Sequence, residues 1–135
     1  MHDLYLSLGS NLGQRDALLR QAICLLEERV GMVERQSDFI QTEPWGFTSS
    51  NLFLNACVLV RTEHSPMECL RLTQQIEREM GRTVKSKGGR YHDRPIDIDL
   101  LMYDDLHIQT AELTLPHPHM HERDFVMIPL RQILP

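Results

Sequence analysis

Residues 52–81 read LFLNACVLVRTEHSPMECLRLTQQIEREMG, and the succession of signals in them decides the fold. In the first half Leu54, Ala56, Val58 and Val60 alternate with Phe53, Asn55, Cys57 and Leu59, which predicts a strand over Leu52–Arg61. The period then changes. Ser65 is a candidate N-cap, Pro66 suits the first helical position, and Glu68 completes a capping box. Leu70, Leu72, Thr73 and Ile76 carry the helix to Met80, and Gly81 suits a left-handed stop.

Working outward, Leu4, Leu6 and Leu8 alternate with Tyr5 and Ser7, a half-buried strand expected to stop at Gly9-Ser10-Asn11. Leu18, Leu19, Ala22, Ile23, Leu25 and Leu26 predict a helix over Arg15–Arg29, with Gly31 as its stop. A strand is expected from Val33 to Thr42, then a loop by its Pro, Gly and Ser content (43–50). Beyond Gly81 come a glycine-bearing basic loop and another strand (97–103), then a short hairpin-like piece from Leu106 to Gln109. A Pro/His-rich loop and a short helix from about Asp124 finish the chain. The order β-α-β-β-α-β predicts a ferredoxin-like α+β sandwich: an antiparallel sheet, helices on one face and a short C-terminal helix. Residues 1–135 are expected to form a single domain. Such a fold by itself specifies no chemistry.

Composition narrows the class. Hydrophobic residues make up 41% and charged residues 24%, ordinary for a globular protein, and no apolar run approaches the length of a membrane helix. The N-terminus enters a strand pattern directly, so no signal peptide is expected. Cys24, Cys57 and Cys69 are odd in number and set in apolar stretches, which predicts buried free thiols and a reducing, cytoplasmic compartment.

The chemistry concentrates in Arg94-Pro95-Ile96-Asp97-Ile98-Asp99-Leu100-Leu101-Met102-Tyr103. On a strand Asp97 and Asp99 share one side, with Cα atoms roughly 6.6–7 Å apart, while Ile96, Ile98 and Leu100 take the other. Two like charges on a mostly apolar strand call for compensation by raised pKa values or bound metal, and oxygen ligands favour magnesium. A strand whose polar face merely meets water is the plainer reading. The preceding stretch shifts the balance: residues 81–94 hold Arg82, Lys85, Lys87, Arg90 and Arg94 against the lone acid Asp93, in a chain of net charge −5. Gly88-Gly89 and the lack of apolar periodicity predict a lid over residues 83–91. A cationic lid beside an acidic metal strand suits a polyphosphate substrate. Phe53 is by pattern a core residue, but Asn55 points the same way and needs a polar partner. The alternating His117, His119 and His121 invite a zinc reading, although no cysteine or nearby carboxylate completes a set.

These residues resemble the 6-hydroxymethyl-7,8-dihydropterin pyrophosphokinase family over nearly the whole chain. The most specific segment is Arg90-Tyr91-His92-Asp93-Arg94-Pro95-Ile96-Asp97-Ile98-Asp99, similar to the family signature ending in Arg-x-x-Asp-x-Asp. Gly9-Ser10-Asn11, Thr42-x-Pro44-x-Gly46, Phe53-Leu54-Asn55, Gln74-x-Ile76-Glu77, Pro116-His117 and Arg123-x-Phe125 follow in family order. The resemblance implies transfer of pyrophosphate from ATP to a pterin alcohol in folate biosynthesis, with AMP released. Asp97 and Asp99 would hold two Mg2+ ions, and Arg82 and Arg94 would be catalytic with them. Gln74, Glu77, Arg82, Arg94, His117 and Arg123 would contact nucleotide. Thr42, Pro44, Trp45, Phe53, Asn55, Asp97 and Phe125 would form the pterin subsite, with Phe53 and Phe125 sandwiching the ring. The expected partners are therefore ATP and 6-hydroxymethyl-7,8-dihydropterin, with neither nucleic acid nor membrane, on a monomer.

The chain departs from the family at His92-Asp93, at Pro118, and at Val84, where some members carry a second lid arginine that Lys85 or Lys87 would have to replace. Two rival classes stay in view: a small-molecule-binding regulatory domain on the same fold, and a two-metal phosphoryl or nucleotidyl transferase with another acceptor.

Overall fold

The structure, a computed structural model, describes residues 1–42, 52–81 and 95–135. β1 (His2–Ser10) leads into α1 (Arg15–Arg29), β2 (Gly31–Gln36), β3 (Ile40–Thr42) and β4 (Phe53–Thr62). Then follow α2 (Pro66–Glu79), β5 (Asp97–Tyr103), the small pair β6 (Ile108–Gln109) and β7 (Thr114–Leu115), a 3-10 turn (Met120–Glu122) and α3 (Asp124–Ile133). The sheet order is β2-β4-β1-β5, with β3 also on β4, and every pairing is antiparallel. This is the split βαβ order the element sequence predicts.

Local chemistry explains the helices. Ser65 Oγ accepts from the Glu68 N–H at 3.2 Å while Glu68 reaches back to the Ser65 N–H, so the capping box is made. Gly81 closes α2 with φ +101°, a conformation that disfavours any residue with a Cβ. Leu19, Ala22 and Leu26 of α1 and Cys69 and Ile76 of α2 bury against Leu4, Leu6, Leu8, Ala56, Val58, Val60, Ile98 and Leu100. That is the expected apolar face.

The opposite face departs from the expectation. β1 is buried on both sides from Leu4 to Ser10, not half-buried, and at Tyr5 the cover is α3, whose Val126, Leu130 and Ile133 pack with Tyr5, Cys57, Leu59 and Leu101. β1 ends at Ser10, within the Gly9-Ser10-Asn11 stretch expected to stop it, with Gly9 and Ser10 still paired to Asn55 and Leu54. The strand expected from Val33 to Thr42 is broken in two at Ser37, whose Oγ accepts from the Cys57 N–H. The Asp38 N–H leaves the sheet to donate to Gln132 Oε1 at 2.8 Å, so the break is where α3 docks. Of the three thiols, Cys57 and Cys69 are buried as expected, but Cys24 is exposed. Among the described residues no helix is long and apolar enough to cross a membrane.

Candidate functional site

Beyond the end of α3 the same sheet face turns polar. Strand pairing sets Asn55, Gly9 and Asp97 in one row across β4, β1 and β5, and Cys57, Ser7 and Asp99 in the next. Alternation puts these residues on one side, with Phe53 at the head of β4. Asp97 and Asp99 are half-buried while Ile96, Ile98 and Leu100 are buried, as the sequence predicts. The alternation then fails. A register shift between Tyr5 and Leu6 makes an irregularity opposite Leu101, and Tyr103 joins the helix-side core, its hydroxyl donating to the His64 carbonyl at 2.7 Å.

The supports of these side chains are specific. Asn55 is 2% exposed, and its Nδ2 donates to Thr42 Oγ1, so Thr42 orients the amide through its own side chain. Arg123, far from being an exposed cation, is 5% exposed, with its guanidinium carbon 5.6 Å from the centre of the Phe125 ring. Glu77, expected among the nucleotide contacts, is 7% exposed and accepts the Ile98 N–H at 2.7 Å. Its carboxylate thereby grips the strand between the two aspartates from behind. Gln74 lies one turn earlier on α2 and is half-buried.

His117 is held at both ends of its residue. Its backbone N–H donates to the Leu101 carbonyl at 2.8 Å, and its ring Nδ1 accepts the His119 N–H at 3.2 Å. The proton of the neutral ring therefore sits on Nε2, leaving that nitrogen a donor. Burial, reinforced by the Arg123 charge, pushes the imidazole down to about 4, so the neutral form prevails at pH 7. His119 instead pairs with Glu122 at 3.1 Å, and His121 is exposed, so the three imidazoles are not brought together as a ligand set.

Beside Asp99 and His117 opens a cavity of about 250 Å³, bounded by Leu100, Pro118 and the turn from Thr110 to Thr114. The reading of the sequence missed this turn. The only signal was the hairpin-like piece before it, and nothing local says that the hairpin folds back onto the edge of β5. Pro44, Trp45, Arg82, Arg94 and the expected lid over 83–91 lie outside the described residues.

Two carboxylates on one strand face suit a hard cation. Among the described residues no three His, Cys, Asp or Glu side chains gather as a ligand set. Magnesium is a cation that takes one or two protein carboxylates and completes its shell with water and phosphate oxygen, and the carboxylate pair Asp97 and Asp99 fits that donor set.

Fold and site together define a class: a ferredoxin-like α+β protein with paired carboxylates, an oriented amide and aromatic rings at one end of a sheet face. The family described as 7,8-dihydro-6-hydroxymethylpterin-pyrophosphokinase (HPPK) matches residues 5–135, and the chain belongs to it. It is 55% identical over 133 residues to the 2-amino-4-hydroxy-6-hydroxymethyldihydropteridine pyrophosphokinase of Porphyromonas gingivalis, covering 98% of this chain and 90% of that one. Identity to the Bacillus subtilis protein of the same name is 42% over 130 residues, covering 96% of this chain and 76% of the relative. A solved HPPK-DHPS structure in complex with substrates superposes with a TM-score of 0.80 at 15% identity, spanning 98% of this chain and 40% of that chain, a likeness of fold.

Proposed function

We propose that residues 1–135 form one pterin pyrophosphokinase domain that moves the pyrophosphoryl group of ATP to the hydroxymethyl oxygen of 6-hydroxymethyl-7,8-dihydropterin. The observation that carries this reading is the row Asn55–Gly9–Asp97, which sets an amide able to read a heterocycle edge beside the paired carboxylates. The pterin lies against Phe53 and Phe125, its polar edge on Asn55. The nucleoside occupies the cavity at Leu100 and Thr110–Thr114, and the polyphosphate runs between the two subsites, past Asp99 and the Nε2–H of His117. Arg123 is positioned as a buried cation on the nucleotide side, backed by the Phe125 ring. Gln74 and Glu77 act from α2, Glu77 by holding β5.

In-line attack forms the bond from the hydroxymethyl oxygen to the β-phosphorus, breaks the bond from that phosphorus to the α-bridging oxygen, and releases AMP. The hydroxyl proton leaves to solvent. Two Mg2+ ions, held by Asp97 and Asp99, would neutralise phosphate charge. No covalent intermediate is needed: burial pushes the Cys57 thiol up to about 12 and Cys69 to about 11, leaving neither a usable nucleophile. Arg82 and Arg94 supply the remaining cations for charge stabilisation, with Lys85 or Lys87 in place of the second lid arginine absent at Val84. We take the working unit to be a cytoplasmic monomer, in keeping with the buried free thiols.

The test is the product made from ATP, magnesium and the reduced pterin. AMP with pterin pyrophosphate is expected. ADP would indicate a simple kinase, and absence of turnover with retained ligand binding would indicate a binding module.

A further inference from the structure

Gly9 is the member of the Asn55–Gly9–Asp97 row that presents no side chain. A Cβ added there would stand 3.0 Å from Asn55 Oδ1 and 3.4 and 3.7 Å from Cδ1 and Cε1 of Phe53. The backbone does not ask for glycine: the positive-φ glycines among the described residues are Gly13 and Gly81, while Gly9 is paired on both flanks in a central strand. Glycine weakens such a strand, and a close approach is the usual reason it is kept. Here the approaching groups are the amide and the ring already assigned to the pterin. Asn55 cannot swing away cheaply, because it is buried and its Nδ2 is committed to Thr42 Oγ1.

We propose that Gly9 is a specificity-determining position of the pterin subsite. Its bare Cα forms the floor on which the Asn55 amide and the Phe53 ring settle at the height of a flat heterocycle. The inference rests on the pterin reading above and adds to it a residue whose missing side chain leaves room for the Asn55 amide and the Phe53 ring. A substituent at this position presses on the Asn55 amide oxygen and fills the space beside the Phe53 ring. It leaves untouched the nucleotide cavity, which lies on the far side of Asp99 beside Leu100.

The experiment uses the full chain with Gly9→Ala and Gly9→Ser. Calorimetry is run separately with 6-hydroxymethyl-7,8-dihydropterin and with a non-hydrolysable ATP analogue plus magnesium, and melting temperature is recorded alongside. Pterin Kd and pterin KM should rise about tenfold or more, Ser more than Ala, while nucleotide Kd stays within about twofold. Unchanged pterin affinity in Gly9→Ala overturns the proposal, and so does an equal loss of both ligands. Should neither variant fold, the Gly9 amide resonance of the wild-type chain should shift when pterin alone is added; an unmoved resonance overturns the proposal as well. A wild-type chain that binds the ATP analogue but no pterin refutes the subsite reading itself, a result distinct from a Gly9 variant that binds like wild type.

Discussion

The two ends of one sheet face are built from the same strands, on either side of the register shift between Tyr5 and Leu6, yet they do opposite work. Under α3 the inward residues are Tyr5, Cys57, Leu59 and Leu101, sealed by Val126, Leu130 and Ile133. One row on from Cys57 they are Asn55, Gly9 and Asp97, with Asp99 level with Cys57 on β5, and the face turns polar. The lesson is about coverage. A sheet face needs an apolar cover only as far as the covering helix extends, and α3 is 10 residues long. Where that cover ends, polar side chains are held by neighbours: Thr42 orients the buried Asn55 amide, and Asp97 and Asp99 stay half-buried.

The contrast is tested most severely at the polar end. Asp99→Ala should lower kcat on the order of 10³-fold, with Asp97→Ala similar, because each carboxylate is half of the metal cradle. Melting temperature should hardly move, since the apolar side of β5 is intact, and pterin binding without nucleotide should survive in Asp99→Ala. Full turnover by either variant with magnesium present would collapse the distinction between the two ends.

Leu130→Ala should do the reverse. Leu130 is fully buried on the sheet side of α3, so denaturant unfolding should show a loss of about 2–5 kcal/mol. At a temperature where the variant is folded, its KM values should stay near wild type. A variant that kept its stability but lost ligand binding would show that Leu130, and not only Phe125 in the first turn of α3, belongs to the site.

Asn55→Ala sharpens the boundary, being buried like the core but polar like the site. It should weaken pterin binding by about 1–3 kcal/mol with ATP affinity unchanged, read by calorimetry. The opposite selectivity would exchange the two subsites.

The smallest effect concerns pH. Burial holds His117 down to about 4 from an ordinary 6.5. The unfolded chain therefore binds more protons than the folded one between these values. The contribution of His117 to stability is complete above about 6.5 and is lost as pH falls through about 4. His117→Gln should flatten that part of the stability profile in denaturant titrations from pH 7 to pH 4. In wild type, the rate should show no step near 6.5 from this group. A wild-type imidazole seen by NMR to titrate near 6.5 would contradict the buried, neutral ring.

How much of this could be read from the residues in order varies with range. Alternation in Leu52–Arg61, the Ser65–Glu68 box and the stop at Gly81 are local matters of backbone dihedral and neighbouring donors, and they appear in the structure where the sequence puts them. The opposed faces of Asp97 and Ile98 follow equally from the two-residue period of a strand. Periodicity could not foresee the shift opposite Leu101 that turns Tyr103 to the helix side, because that depends on how β1 and β5 align. Nor could it foresee that Ser37 breaks a strand to admit α3, that Glu77 grips the Ile98 N–H, or that the Thr110–Thr114 turn walls a cavity at the edge of β5. The residue sequence by itself determined the elements, their order and the chemical groups placed on each, since these depend on side chains within a few positions of one another. Tertiary structure alone decided which half of a face is covered and which groups meet across strands, because those contacts join residues tens of positions apart and exist only once the sheet has closed its register.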